Sequence, residues 1–592
     1  MPAPSSEFMD AVGLYKRGQL AEAERICASI AKREPKNFEA RHLLGVILIA
    51  RGDAGNAERE LSLAVGGMPG SARAHRNLGV ALARLGRLEE ALVCFDKAIT
   101  LKPDDYEALT ARAHASFALE RYQEALAAYD AALGIRPNHA QCWHRRALAL
   151  MALTRFEEAV ENCNRAIALK SDYAEAFQDR GTAYYDLKRF EDAAASYDAA
   201  IELKPHLADA WCSRGVVRHD LDRLEEALAD FDRAIALKPD FALAYSNRGN
   251  ALQALKRPLE ALASYDRAIA LDPKLNEALF HRGMCKLSLG RMPEGWSDYE
   301  FGRRSKKYAW PRPAVEAPDW SGEDLTGRSI LVFAEQGQGD VFQLCRYLPL
   351  LTARGAKVTF LLSDGLIRVL SGLQGDVVLR EQLDPGESID FQLPLMSLPH
   401  RFGTKLDTIP APSTAYLAAE PDRVTAWRAK LGAGFKIGVC WQGGLWQGGP
   451  ALRGRSFEPK ELHPLAEVPN VRLISLQKQN GLEQLARLPI GMRIETIEGL
   501  DEGPDAFVDT AAVMQTLDLV VTCDTSIAHL AGALARPTWV ALKYAADWRW
   551  MIDRADSPWY ASLRLFRQTE RNDWRGVFIR MQTELLQKMG SV

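Results

Sequence analysis

Two short stretches of the sequence bring together residue types that do chemistry. The first, Glu335 to Phe342, reads EQGQGDVF and follows the apolar run SILVFA. Phe342 stands where a dinucleotide loop of the form G-x-G-x-x-G has its third glycine, so that fingerprint is broken. What remains is Asp340, a carboxylate on a tight strand-to-helix turn. A carboxylate held there can take the proton of an attacking hydroxyl, or simply cap the helix that begins VFQLCRYLPLL. The second stretch is Asp524, Thr525, Ser526, Ile527, Ala528 and His529, directly after LDLVVTC. Asp524 and the two hydroxyls suit a helix start, whose free amide groups form a ready phosphate site, with His529 one turn deeper. The plainer alternative is a well-capped core helix whose histidine bonds a neighbour.

Further candidates lie at other strand ends. Lys478 closes VRLISLQK and is either a phosphate ligand or a solvated lysine. Trp441 closes KIGVCW and is either a stacking platform for a base or sugar or an interior aromatic. The elements that must position these groups are SILVF, KVTFLL, DVVLR, KIGVCW, VRLISLQ, MRIETI, LDLVVTC and TWVAL, read as strands between helix-like segments. Apolar strands alternating with amphipathic segments indicate parallel sheets covered on both faces. The stretch APSTAYLAAEPDRVTAWRAKLGAG divides the set, which predicts two Rossmann-like lobes with ligands at the carboxyl ends of strands.

The first half has a different rhythm. Prolines recur every 34 residues or twice that, at Pro35, Pro69, Pro103, Pro137, Pro205, Pro239 and Pro273. Gly45, Gly79, Gly181, Gly215, Gly249 and Gly283 share the period, as do alanine registers through Ala91 and Ala98 and aromatics such as Phe95, Tyr129, Tyr197, Phe231 and Tyr265. This reads as one helix pair per repeat, small residues allowing close approach and proline ending the second helix. An arginine ladder, Arg112, Arg146, Arg180, Arg214, Arg248 and Arg282, is either a track for an acidic ligand or a structural brace pairing with neighbouring acids. The unit resembles the tetratricopeptide repeat, whose period is 34 residues. Nine units are expected over residues 4–309, the last degenerate with Gly295 and Gly302, followed by a linker at 310–327.

From residue 310 onward the sequence resembles glycosyltransferases of the heptosyltransferase type. The resemblance rests on the Gly339-Asp340 turn, the pattern D-T-x-x-x-H-L-x-x-A-L from Asp524, and the ending ALKYAADWRWMIDRADSPWYASLRLFRQ. It implies a GT-B fold, with an acceptor-side lobe at 328–420 and a donor-side lobe at 434–592 that ends in a helix. The architecture expected is thus an α-solenoid, a tetratricopeptide superhelix, followed by an α/β region. It further implies inverting transfer from a nucleotide-sugar co-substrate, with no bound cofactor or metal. In that pattern Asp340 is the general base, and Arg455 a basic phosphate ligand for which Arg453 competes. Glu483 bonds the ribose, while Asp524 and His529 lie around the donor; Thr525 and Ser526 are expected to bind donor phosphate at the same helix start. No Asp-x-Asp motif stands in this half, so cations and helix dipoles are expected to stabilise the leaving phosphate. The glycine-rich QGGLWQGGPALRG is expected to be a mobile loop.

Composition bounds the partners. Hydrophobic content of 47% and charged content of 26% indicate a globular chain, and a net charge of -3 argues against wholesale nucleic-acid binding. Nine scattered cysteines without a C-x-x-C pair, no apolar leader and no membrane span fit a cytoplasmic protein. The expectation is a protein O-glycosyltransferase whose repeat arm recruits an acceptor and whose cleft glycosylates Ser or Thr hydroxyls. The chain looks similar to bacterial repeat-fused flagellin glycosyltransferases, and flagellin is the leading acceptor. The asparagine ladder of O-GlcNAc transferase arms is largely absent, since its register reads Leu43, Asn77, Ala111, Arg145, Asp179, Ser213, Asn247 and His281. Two alternatives stand: a repeat scaffold with an inert transferase-like domain, and a lipopolysaccharide or lipid-linked sugar transferase.

Overall fold

The computed structural model describes residues 6–303, 312–362, 365–384, 386–444, 454–478 and 480–590. Contacts divide the chain into two compact units, Met1–Lys238 and Pro239–Val592. In the first unit the described residues form seven successive helix pairs, from Ser6–Lys16 with Leu20–Arg33 to Ala208–Asp220 with Leu224–Leu237. The glycine register explains the pairing. A methyl group at Gly79 would lie 2.6 Å from the Phe95 ring, at Gly181 2.8 Å from Tyr197, and at Gly215 2.6 Å from Phe231. Each glycine thus seats the aromatic sixteen residues on, and a side chain there would displace it. The helices end one residue before the pre-proline position: Glu34, Lys102, Arg136 and Lys204 leave helical geometry because the following proline ring clashes with an α conformation.

The arginine ladder proves to be a brace. Arg146 reaches back to Asp130 at 2.7 Å and forward to Asn162 at 3.0 Å. Arg214 does the same, to Asp198 at 2.5 Å and to buried Asp230 at 2.6 and 2.9 Å. Offsets of minus and plus sixteen place these partners on the second helices of two successive pairs. The ladder therefore ties repeats to one another and is not free to form a ligand track.

The second unit opens with two more helix pairs, Ala242–Ala254 with Pro258–Leu271 and Asn276–Ser288 with Met292–Gly302. The last pair packs helix against backbone, since a methyl group at Gly302 would lie 2.4 Å from the Phe280 backbone. Two parallel sheets follow. The first contains β1 (Ser329–Phe333), β2 (Lys357–Leu361), β3 (Val377–Arg380) and β4 (Phe391–Pro394) in the order β3-β2-β1-β4. The second contains β5 (Phe435–Cys440), β6 (Val471–Ser475), β7 (Leu519–Cys523), β8 (Thr538–Leu542) and β9 (Leu563–Arg567) in the order β6-β5-β7-β8-β9. Every pairing between these strands is parallel.

Two strand readings are corrected. MRIETI is not a strand: Glu495 alone bridges to Ile474, and its side chain is held outward by Arg472 at 2.7 and 2.9 Å. Conversely, FQLP and LRLFR form β4 and β9. The first carries a glutamine and ends in proline, and the second is interrupted by arginines. The described part of the linker lies along β4, where Trp320 donates its backbone N–H to the Gln392 carbonyl at 3.0 Å and Gln392 returns one to Pro318 at 2.9 Å. One core spans Met292, Trp296 and Tyr299 of the last helix pair, strands β1 and β2, and the helix Ser526–Ala533. A second core lies between β5, β7, β8 and the helix Trp574–Gly590, through Val577, Phe578, Met581 and Leu585.

Candidate functional site

In each sheet the strand order reverses once beside the first strand, between β1 and β4 and between β5 and β7. Such switch points open a crevice at the carboxyl ends of the strands because the connecting segments leave in opposite directions. Asp340 follows β1, Asp524 follows β7, and Gln442 to Gly444 follow β5. The sequence-derived candidates therefore fall at both reversals.

Asp340 lies in the first turn of the helix Gln338–Leu344 and accepts the Gly337 backbone N–H at 3.1 Å. Its other carboxylate oxygen takes the guanidinium of Arg549, which lies in the segment after β8 of the second sheet. Arg549 also donates to Asp547 at 2.9 Å and to Gln343 Oε1 at 2.9 Å, and it lies over the Trp548 ring at 4.4 Å. Burial pushes the Asp340 carboxyl above its ordinary range, and Arg549 opposes that shift. Gly339 has a separate task. A methyl group there would lie 2.9 Å from the His529 ring, so the glycine lets the Gln338–Leu344 and Ser526–Ala533 helices touch.

Asp524 is part-buried, and burial together with nearby Asp547 raises its carboxyl to about 6. Arg455 lies close enough to pull that value down, and its guanidinium rests where a side chain at Gly443 would stand, 2.8 Å from that position. Among the described residues Arg455 makes no hydrogen bond or ion pair. A partly buried, unpaired guanidinium beside a strand end is a fit receptor for an anion.

Other candidates are placed differently from the expectation. Trp441 is fully buried and donates its indole N–H to the Gly481 carbonyl at 3.2 Å, so it packs the second core and cannot stack on a ligand. Thr525 caps nothing with its side chain: its hydroxyl turns inward to Thr522 at 3.2 Å. His529 is buried, stacked on Trp550 at 5.2 Å, with Nδ1 3.0 Å from the Tyr560 hydroxyl. Burial and the arginines Arg549, Arg346 and Arg455 hold its pKa well below the ordinary value, so it is neutral and structural, against the expected donor contact. Lys478 is an exposed lysine that ties down the Asp501 carbonyl. Glu483 is exposed and accepts the Gly481 N–H at 3.0 Å, as an acid early in a helix commonly does. Ser526 stands part-buried at the helix start. Arg453, and most of the glycine-rich loop expected to move, lie outside the described residues.

The sequence reading missed four residues. Arg549 is one, and its only signal is a cation set between tryptophans in DWRW after β8. Glu335 is buried, its carboxyl oxygens make no well-aligned hydrogen bond among the described residues, and burial raises its pKa to about 8 while the Arg303 guanidinium opposes the shift. Tyr299 and Arg303, from the last helix pair, reach the same turn: Gln336 donates to the Tyr299 hydroxyl at 2.9 Å, and the Arg303 guanidinium lies 2.7 Å from Glu335.

Comparison with known proteins bears on the repeats. Tetratricopeptide-repeat families match residues 14–75, 72–105, 110–174, 178–242 and 242–275. Protein FlbA of Caulobacter vibrioides is 28% identical over 319 residues, covering 50% of this chain and 52% of its own, so the chain spans about half the length of this curated relative. Solved structures similar to this chain include an APC/C Cut9-Hcn1 hetero-tetramer, 17% identical with a TM-score of 0.34 over 47% of this chain and 55% of that one. A tetratricopeptide repeat protein of Parabacteroides merdae is 18% identical, with a TM-score of 0.36 over 42% and 98% of the two chains. YrrB, a TPR protein with an unusual peptide-binding site, is 26% identical, with a TM-score of 0.29 over 33% and 97%. The N-terminal half of the chain is a tetratricopeptide-repeat solenoid, joined to an α/β region of parallel sheets.

Proposed function

We propose that the α/β region is a GT-B glycosyltransferase that moves a sugar from a nucleotide-sugar to a Ser or Thr hydroxyl of a protein recruited by the repeats. The observation that carries this reading is the meeting of the two switch points. A carboxylate, Asp340, stands at one, Arg455, which makes no ion pair among the described residues, at the other, and Arg549 links the sides. In the step envisaged, the acceptor oxygen bonds to the anomeric carbon as the bond from that carbon to the phosphate oxygen breaks, with inversion. The hydroxyl proton passes to Asp340, and the nucleotide leaves with the charge of its phosphate offset by Arg455, Arg549 and the amides of the Ser526–Ala533 helix. A raised carboxyl pKa suits a base of this kind, because a more basic carboxylate draws the proton more strongly.

One observation favours the inert-scaffold reading: both Asp340 oxygens are already engaged, by Arg549 and by the Gly337 amide. Exchange of Asp340 for Asn separates the two. Intact mass of a co-expressed client, with flagellin the first to try, should show an added sugar with the wild-type chain. That sugar should fall by roughly 100-fold or more with the variant, while client binding persists. No added mass with the wild-type chain in any client tried, or equal mass with both chains, would discard the transferase reading.

A further inference from the structure

The Gln338–Leu344 helix and its preceding turn are not held by the α/β region alone. Three side chains of the last repeat helix, Met292–Gly302 and the residue after it, converge on the two partners of the Asp340–Arg549 contact. On the Asp340 side, the Tyr299 hydroxyl accepts from Gln336 Nε2 at 2.9 Å, one residue before Gly337, whose amide Asp340 holds. Next to it the Arg303 guanidinium lies 2.7 Å from Glu335, and it is fixed in turn by Glu300 at 3.3 Å and Ser397 Oγ at 3.2 Å. On the Arg549 side, Trp296 packs edge-on to Trp548 at 5.2 Å, and Trp548 carries the Arg549 guanidinium on its face. Trp296 is itself anchored by its indole N–H on the Thr404 carbonyl at 3.2 Å. Tyr299 and Trp296 are both fully buried, and the Glu335 side chain is 1% exposed.

We propose that the final repeat is a working part of the reaction site, with Tyr299 and Arg303 as positioning residues that fix the Glu335–Asp340 turn against Arg549. This deepens the transferase reading and rests on it. The glycines of this repeat make the geometry possible. A side chain at Gly295 would meet Leu287 at 2.8 Å, and one at Gly302 would meet the Phe280 backbone at 2.4 Å, so larger residues would push the helix off its partner and off the turn. A repeat that served only to close the solenoid would need a polar outer face, whereas this one presents tyrosine and a buried guanidinium to the turn that carries Asp340 and tryptophan to Trp548.

The test uses the full chain with Tyr299→Phe, Arg303→Gln and Arg303→Lys, read in two ways. Hydrogen exchange of amides in Val341–Leu344 should quicken by about 10-fold in Arg303→Gln, less in Tyr299→Phe and least in Arg303→Lys, while amides of β7 keep their rates. Sugar transfer to the client should fall about 10- to 100-fold in Arg303→Gln and recover in part with Arg303→Lys. The KM for the nucleotide-sugar, set by groups on the second sheet, should stay within about 2-fold. Unchanged exchange in both Arg303→Gln and Tyr299→Phe overturns the proposal whatever the transfer rates. Wild-type transfer in both variants overturns it as well. If the wild-type chain transfers nothing, the exchange measurement still decides whether these residues fix the turn, and only the transferase reading falls.

Discussion

The repeats and the α/β region obtain order from opposite kinds of contact. In the repeats stabilising pairs lie a short distance along the chain: Gly215 seats Phe231, and Arg214 braces Asp198 and Asp230, all sixteen residues away. In the α/β region the comparable contacts join distant segments. Arg549 meets Asp340 across 209 residues, and Arg346 donates to the Trp559 carbonyl at 2.8 Å across 213. A local contact that fails should cost its own neighbourhood, because nearest-neighbour terms dominate a solenoid. A long-range contact that fails should loosen several elements at once.

The largest expected effects test that contrast directly. Arg549→Met removes a guanidinium shared by Asp340, Asp547 and Gln343 and leaves carboxylates facing an apolar side chain. A loss of about 3–5 kcal/mol is expected, together with transfer activity. Hydrogen exchange should rise both in Gln338–Leu344 and in the segment around Trp548. Phe231→Ala in the repeats should cost about 3–4 kcal/mol of comparable burial, yet its faster exchange should stay within Ala208–Leu237 and the adjoining pair. If Phe231→Ala melted the whole first unit in step, or Arg549→Met stayed confined to one sheet, the contrast would be wrong.

A smaller effect, of opposite sign, is expected at Glu335. Its carboxyl titrates near 8 in the folded chain and near 4.5 in the unfolded one, because burial disfavours the charge. A raised acid pKa means that the folded state binds the proton more tightly. The associated stability is therefore full below about pH 4.5 and is lost as pH rises, until it levels off above about 8. Glu335→Gln removes that dependence. The variant should match the wild type near pH 4 and exceed it by about 3 kcal/mol at pH 7, the gap widening by about 1.4 kcal/mol per pH unit between those limits. Urea midpoints at several pH values read this directly, and a gap that did not widen with pH would refute it.

The same contrast governs what was legible in the sequence. The repeat half could be read down to its contacts, since a period of 34 and an offset of sixteen are visible without a structure. Strand ends were legible too, so Asp340 and Asp524 were found at the reversals of the two sheets. What could not be read is which distant side chain answers them. Arg549 belongs to no period, and Tyr299 and Arg303 belong to the repeats by register but to the α/β region by contact. Trp441 was ambiguous for a simpler reason: alternation along a buried parallel strand does not tell which face a terminal aromatic takes, because both faces are covered. MRIETI had a strand's alternation and no partner for more than one residue, while β9 had a partner for five despite two arginines.

The smallest prediction exploits the repetition itself. One residue in the turn of each helix pair adopts a left-handed backbone: Gly18, Gly52 and Gly86 in the first three, then Glu120, Thr154, Lys188 and Asp222 at φ of 58–62°. A β-branched residue is the worst suited to this region, because its Cβ crowds the carbonyl, at about 1–2 kcal/mol. Thr154 recovers part of that through its hydroxyl, which donates to the Leu153 carbonyl at 2.7 Å. Glycine relieves the strain but frees the unfolded chain, which costs about 0.5–1 kcal/mol. The balance for Thr154→Gly is a gain of up to about 1 kcal/mol, and for Lys188→Gly, unbranched at Cβ, one closer to zero. Because the two turns share one geometry, the difference between the variants isolates the branching term, and the reverse order of stabilities would show that strain at these turns is not set by the side chain.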